Sequence, residues 1–228
     1  MANVPPFWCW PSYKHLTKAF ALGATLVLWW AVLFFGANWV TSLHSFRLRI
    51  NLDAEEAVPY VPQAVLGYLS IYLLSLITPF VLRTDSELHA LGETCMAVTF
   101  FAAIAFVLIP AEHTNPHPAG DGAWSVLVMF TKQAALPHNM VPSLHVALTV
   151  VFISALASHA GWLGQCLLWI WATVISLSTL LLHQHYLLDV ATGFVLGRAS
   201  IAFIYRKQAR GPNTVRFAAV PLFAEKFS

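Results

Sequence analysis

Apolar residues in this chain come in runs rather than in stripes. Six stretches, at about 19–40, 61–82, 91–109, 143–158, 162–182 and 186–205, are apolar on every helical face. Runs of roughly 20 such residues predict helices that cross a bilayer. The fourth stretch is short for that task, so it is expected to extend back past Pro142 or to sit tilted with one end in a pocket. The first, from Ala19 to Val40, exceeds the roughly 7–15 residues of a secretory signal core and has no clear small-x-small cleavage site, so it reads as a retained span. Between the spans the pattern changes. Ser45 to Asp53 alternates polar and apolar residues, a strand period that predicts an extended segment at the membrane interface. The stretch 110–142 is punctuated by Pro110, Pro116, Pro118, Gly120, Gly122 and Pro137 and reads as a long loop rather than as helix throughout. The expected fold is therefore all-α, a single polytopic membrane domain over 1–228 with six transmembrane helices.

Composition removes the soluble alternatives. Apolar residues make up 58% of the chain and charged residues 10%, where soluble domains carry roughly a quarter charged. The net charge of +2 is too small and too dispersed for a nucleic-acid partner. The basic residues instead flank the runs: Lys14 and Lys18 precede the first, while Arg206, Lys207, Arg210, Arg216 and Lys226 follow the last. The positive-inside bias then places both termini in the cytoplasm, with 41–60, 110–142 and 183–186 outside and short turns near 83–90 and 159–161 inside. Arg47 and Arg49 run against this bias, and Asp53, Glu55 and Glu56 follow them closely. Cys9, Cys95 and Cys166 are odd in number and far apart, which implies buried inert thiols rather than a disulfide or zinc framework.

Polar residues within such spans are costly, on the order of 2.5–3.5 kcal/mol for a central Asp, so each requires a partner or a wet site. Here they gather. Asn139-Met-Val-Pro-Ser-Leu-His145 opens the fourth span, and Ser178-Thr-Leu-Leu-Leu-His-Gln-His-Tyr-Leu-Leu-Asp189 joins the fifth to the sixth. By the topology above, both strings lie at the outer end. His185 and Asp189 are four apart, which on a helix puts them on one face within hydrogen-bonding reach. A carboxylate on one imidazole nitrogen fixes the tautomer and leaves the other nitrogen unprotonated, so His185 is a candidate nucleophile and Asp189 its support. His145 stands at a helix N-terminus, a natural seat for a phosphate, and is a candidate acid for a departing oxygen.

These residues resemble the type 2 phosphatidic acid phosphatase superfamily of membrane lipid phosphatases and phosphotransferases. Pro142-Ser143-Leu144-His145 is similar to its P-S-G-H block, and Ser178-Thr179-x5-His185-x3-Asp189 to its S-R-x5-H-x3-D block. The resemblance implies a six-helix core, a phosphohistidine formed on His185, support from Asp189 and acid–base work by His145, with no metal or other cofactor. The family's first block, K-x6-R-P, has no counterpart: Ile109 to Pro118 contains neither Lys nor Arg. Thr179 stands where the third block has arginine and Leu144 where the second has glycine. In these features the chain is similar to the inositol phosphorylceramide synthase and sphingomyelin synthase branch, whose members pass phospho-headgroups between lipids. The implied partners are a phospholipid, a lipid phosphate or a ceramide-type acceptor.

Phosphoryl transfer depends mainly on positioning and charge stabilisation, so other groups are expected to hold the phosphate. Ser143 with the amides after it, His183 and Lys132 are the first candidates, with Thr179 at the arginine position and Arg47 and Arg49 near enough in sequence to fold over. His113, His117 and His138 also fall on the outer side. Arg198 lies 13 residues beyond His185, about 20 Å along a helix, toward the other leaflet. Two other classes are open. Ten histidines could build a metal or haem site in a membrane carrier, although no compact motif such as H-E-x-x-H occurs. A transporter would be expected to show paired Gly/Pro interruptions in corresponding halves, which this chain lacks.

Overall fold

The computed structural model describes residues 7–112, 124–134 and 136–209. Its helices are α1 (Tyr13–Ser42), α2 (Val65–Ile77), α3 (Asp85–Leu108), α4 (Trp124–Ala134), α5 (Leu144–Ala157), α6 (Trp162–Leu181) and α7 (Leu187–Ser200). Short 3-10 turns extend α2 at both ends, over Pro62–Ala64 and Thr78–Phe80, and a π turn at Ile201–Tyr205 carries α7 on to Gln208. Among the described residues, five helices are long and apolar enough to cross a membrane: Tyr13–Ser42, Pro62–Phe80, Asp85–Leu108, Trp162–Leu181 and Leu187–Gln208. The chain is a multi-pass membrane protein.

The expected fourth span differs. Helix α5 has 14 residues, about 21 Å at 1.5 Å per residue, short of a hydrocarbon layer of about 30 Å. Its place in the bundle explains why this is tolerated: α2, α3, α6 and α7 all pack against it, and most of its residues are buried. It is a central post shielded by four of the five long helices, and it occupies the place of the expected fourth span. Helix α1 lies at the periphery against α3.

Two boundaries moved for local reasons. Helix α3 begins at Asp85 rather than near 91, because Thr84 and Glu87 form a capping box in which the Thr84 hydroxyl accepts from the Glu87 amide at 3.2 Å and the Glu87 carboxylate accepts from the Thr84 amide at 3.0 Å. Helix α4 occupies part of the expected loop; 113–123, with His113 and His117, falls outside the described residues. The alternating segment is extended only at Leu48–Arg49, which pairs in parallel with Ala111–Glu112. Asp53–Ala57 then winds into a 3-10 turn.

Helices α5 and α7 meet at backbone distance. A Cβ on Gly193 would stand 2.4 Å from the Ser143 carbonyl oxygen, and one on Gly197 would stand 2.7 Å from that of Ala147. Small residues four apart let two membrane helices approach this closely. The Ser143 amide in turn donates to the Asp189 carbonyl at 2.9 Å. Residues 7 and 209 lie at the other end of the bundle, where Cys9 bonds Phe80 and Ser86 bonds Gln208.

Gly193→Ala is expected to cost about 1–3 kcal/mol through overpacking against backbone that cannot rotate away. Thermal unfolding in detergent checks this, with Gly23→Ala, whose Cβ would meet nothing within 4 Å, as the control; equal melting of the two variants would refute the close-packing account.

Candidate functional site

Three helix termini and one turn converge at the end of the bundle where α5 and α7 begin. Ser143 is the N-cap of α5, fully buried, its hydroxyl accepting from the Val146 amide at 3.3 Å. His145 follows in the first turn. Its Nε2 lies 2.8 Å from the Tyr68 carbonyl, and because a carbonyl only accepts, Nε2 carries the proton and Nδ1 is the nitrogen left for exchange. The Tyr68 ring also stacks on the imidazole, centroids 3.9 Å apart and planes 17° off parallel. Helix α2 thus fixes both the tautomer and the ring plane of His145.

Helix α6 ends at Leu181, and the chain turns through His183, whose φ of 53° is left-handed. The Thr179 carbonyl accepts from the amides of Gln184 and His185 at 2.9 and 3.2 Å, closing the turn. His185 Nδ1 then donates to Asp189 Oδ2 at 3.2 Å, and the same oxygen accepts from the Tyr186 amide at 2.9 Å. Asp189 is fully buried. With Nδ1 committed to the carboxylate, Nε2 of His185 holds the lone pair. The bond from the Ser143 amide to the Asp189 carbonyl brings the helix starts that carry His145 and Asp189 together.

Sequence reasoning missed two residues here. Glu55 is buried; its Oε1 accepts from the Leu187 amide at the start of α7, and its Oε2 from the Leu52 amide at 2.6 Å. It anchors the 52–58 turn to Leu187, the first residue of the helix that carries Asp189, where a negative charge also meets the positive end of the helix dipole. Its neighbours Asp53 and Glu56 are exposed surface carboxylates paired with Arg49, and nothing in the string Asp-Ala-Glu-Glu marks the one that turns inward. Tyr68 is the other, hidden in an apolar span because it works through its carbonyl and its ring face.

The expected phosphate-holding groups divide. Ser143 is at the site. Thr179 acts through its carbonyl, while its hydroxyl turns back to Ser176. His183 is committed elsewhere: its Nε2 donates to the Val58 carbonyl at 3.0 Å and its ring leans on Tyr60, so it holds the approach to α2. Arg47 is taken up by carbonyls at the end of α1, Arg49 by Asn51, Asp53 and Glu56, and Arg198 by the face of Trp169. His138 lies near Arg47, and burial first, then that positive charge, lower its pKa. Lys132 comes closest to the expectation. Val128 on the same face of α4 packs against Val65 and Leu182, which brings the Lys132 ammonium over the Tyr60 ring at 5.8 Å, beside His183. Burial lowers the Lys132 pKa from its ordinary value. Among the described residues, no group of three or more His, Cys, Asp and Glu side chains is arranged to hold a metal ion.

Residues 109–211 match the family model described as the PAP2 superfamily. The matched stretch contains Ser143, His145, Thr179, His185 and Asp189, and it supports the type 2 phosphatidic acid phosphatase superfamily, whose members are phosphatases and phosphotransferases of lipid-like phosphates. No curated protein shows a significant match to the chain.

Glu55→Ala removes the acceptor of two part-buried amide donors and is expected to cost about 1–2 kcal/mol while misaligning the start of α7. Glu55→Gln is no rescue, since its amide nitrogen would face one of those N–H groups. Melting curves of both variants test this; a Gln variant as stable as the parent would show that Glu55 does not accept both bonds.

Proposed function

We propose that this protein transfers phosphoryl groups on lipid substrates through a phosphohistidine on His185, with its site on the outer face of the membrane. The observation that supports it best is the His185–Asp189 pair, a buried carboxylate that leaves Nε2 of the imidazole as a nucleophile beside a second, independently held histidine. In the first step Nε2 attacks phosphorus, the bond to the leaving oxygen breaks, and doubly protonated His145 gives that oxygen its Nδ1 proton. The N–H that faces the Tyr68 carbonyl is retained throughout. In the second step an acceptor hydroxyl gives its proton to Nδ1 of His145, its oxygen attacks phosphorus, and the P–N bond breaks. Asp189 balances the charge on His185 in the covalent state.

Water as acceptor makes the enzyme a lipid phosphate phosphatase, and a lipid alcohol makes it a phospho-headgroup transferase of the inositol phosphorylceramide synthase kind. The absence of Lys and Arg from 109–118, together with Leu144 and Thr179, favours transfer by its likeness to that branch. Lys132, Ser143 and the first amides of α5 take the part of the phosphate clamp in this reading. The outer placement rests on charge: Lys14, Lys18, Arg83, Arg206 and Lys207 lie at the opposite end of the bundle.

Incubation of the purified protein with labelled lipid phosphates and phosphoinositides is expected to yield an acid-labile phosphoprotein that is lost in His185→Ala. In His145→Asn turnover is expected to fall about 10²–10⁴-fold, the usual worth of a positioned acid or base. Label retained in His185→Ala would end the proposal. New phospholipid without free phosphate identifies the transferase.

The charged form of Lys132 is the one that binds phosphate, and its pKa lies below the ordinary lysine value of about 10.4. Substrate KM is therefore expected to rise with pH before that value is reached, and Lys132→Gln to raise KM at neutral pH and abolish this alkaline limb. A limb that persists in the variant would assign it to another group.

A further inference from the structure

The end of the bundle opposite the histidines carries a cavity of about 510 Å³ between the start of α1 and the turn that precedes α3. Lys14, His15, Lys18, Arg83 and Asp85 line it, three fixed positive charges and one carboxylate among the described residues, and Lys18 is paired with Asp85. His15 is the buried member. It is nine-tenths buried, faces the cavity, and its Nε2 has no hydrogen-bond partner among the described residues. A buried polar nitrogen of this kind is normally satisfied, and leaving it unmet costs stability. The first turn of α1 adds the positive end of a 30-residue helix.

The rim is aromatic. Trp10 and Tyr13 are 85% and 84% exposed, and Trp8 stacks on Phe80 with centroids 4.8 Å apart. Trp and Tyr gather at headgroup depth, with ring bodies in the acyl region and polar edges in water. The mouth of the cavity therefore lies where the phosphates of one leaflet lie.

We infer that this cavity is a second anion site, separate from the histidine site, which takes the phosphate of a phospholipid headgroup through Lys14, His15 and Arg83. The inference stands independently of the proposed reaction.

The full chain in neutral detergent, in a His185→Ala background to silence turnover, is titrated with phosphatidylglycerol, with phosphatidylcholine, and separately with glycerol 3-phosphate and inorganic phosphate; native mass spectrometry counts bound lipid and melting follows the soluble anions. Preferential retention of phosphatidylglycerol is expected, with affinity falling at least about fivefold per basic group removed in Lys14→Gln and His15→Gln. Asp85→Asn removes the carboxylate that lines the cavity among the described residues and is expected to tighten binding severalfold. A general folding defect would move all three variants in one direction, so opposite responses separate the site from its scaffold. Melting shifts with the soluble anions, lost in Lys14→Gln, would support the anion site with a free phosphate as its source. Equal lipid binding by parent and all variants, or no preference for the anionic lipid, would overturn the inference.

Discussion

The contact on which the candidate site depends is the backbone approach of α5 to α7. Gly193 and Gly197 remove the side chains that would hold the two helices apart, and the Ser143 amide reaches the Asp189 carbonyl across the gap. Ser143 and His145 belong to one helix start, His185 and Asp189 to the other. Their convergence follows from that approach. Everything else at the site adjusts orientation: the Tyr68 carbonyl and ring set His145, the Thr179 carbonyl closes the turn under His185, and Glu55 holds the first turn of α7.

Hydropathy located the long helices because a lipid environment demands continuous apolar sequence, and that demand is written residue by residue. It misjudged α3 because a helix can start in polar residues if they cap it, as Thr84 and Glu87 do. Their pattern, Thr-Asp-Ser-Glu, was present in the sequence and is a recognised helix-start signal. It located α5 within a residue at each end but could not show that the helix is sheathed in protein, because apolar residues buried in protein look the same as apolar residues facing lipid. The i, i+4 spacing revealed the His185–Asp189 pair, since that contact is local to one helix start. Glu55 and Tyr68 were not legible, because each meets the site across more than 70 residues of chain, through a backbone amide or carbonyl that every residue possesses. The contact of His183 with the Val58 carbonyl was hidden for a related reason, since no side-chain motif announces it.

The absence of a basic clamp acquires a physical setting in the structure. Arg47, Arg49 and Arg198 are each engaged by other groups, and Lys132 reaches the neighbourhood of His183 because α4 lays Val128 against Val65 of α2 and Leu182 at the end of α6. A cation borne on a short helix that packs on the bundle from outside is less firmly fixed than one built into a central helix. In the proposed reaction, charge at the site is thereby coupled to how α4 is seated.

The brevity of α5 has a consequence for solvation. If the neighbouring helices traverse about 30 Å of hydrocarbon and α5 supplies about 21 Å, some 9 Å of depth is left to chain that is not helical. Irregular backbone survives at such depth only where protein satisfies its amides and carbonyls. The Ser143, Gln184 and His185 amides meet that condition through Asp189 and Thr179. In the proposed reaction the backbone around the phosphate is thus held by protein before substrate arrives, so the work of ordering it is done in folding rather than in each turnover.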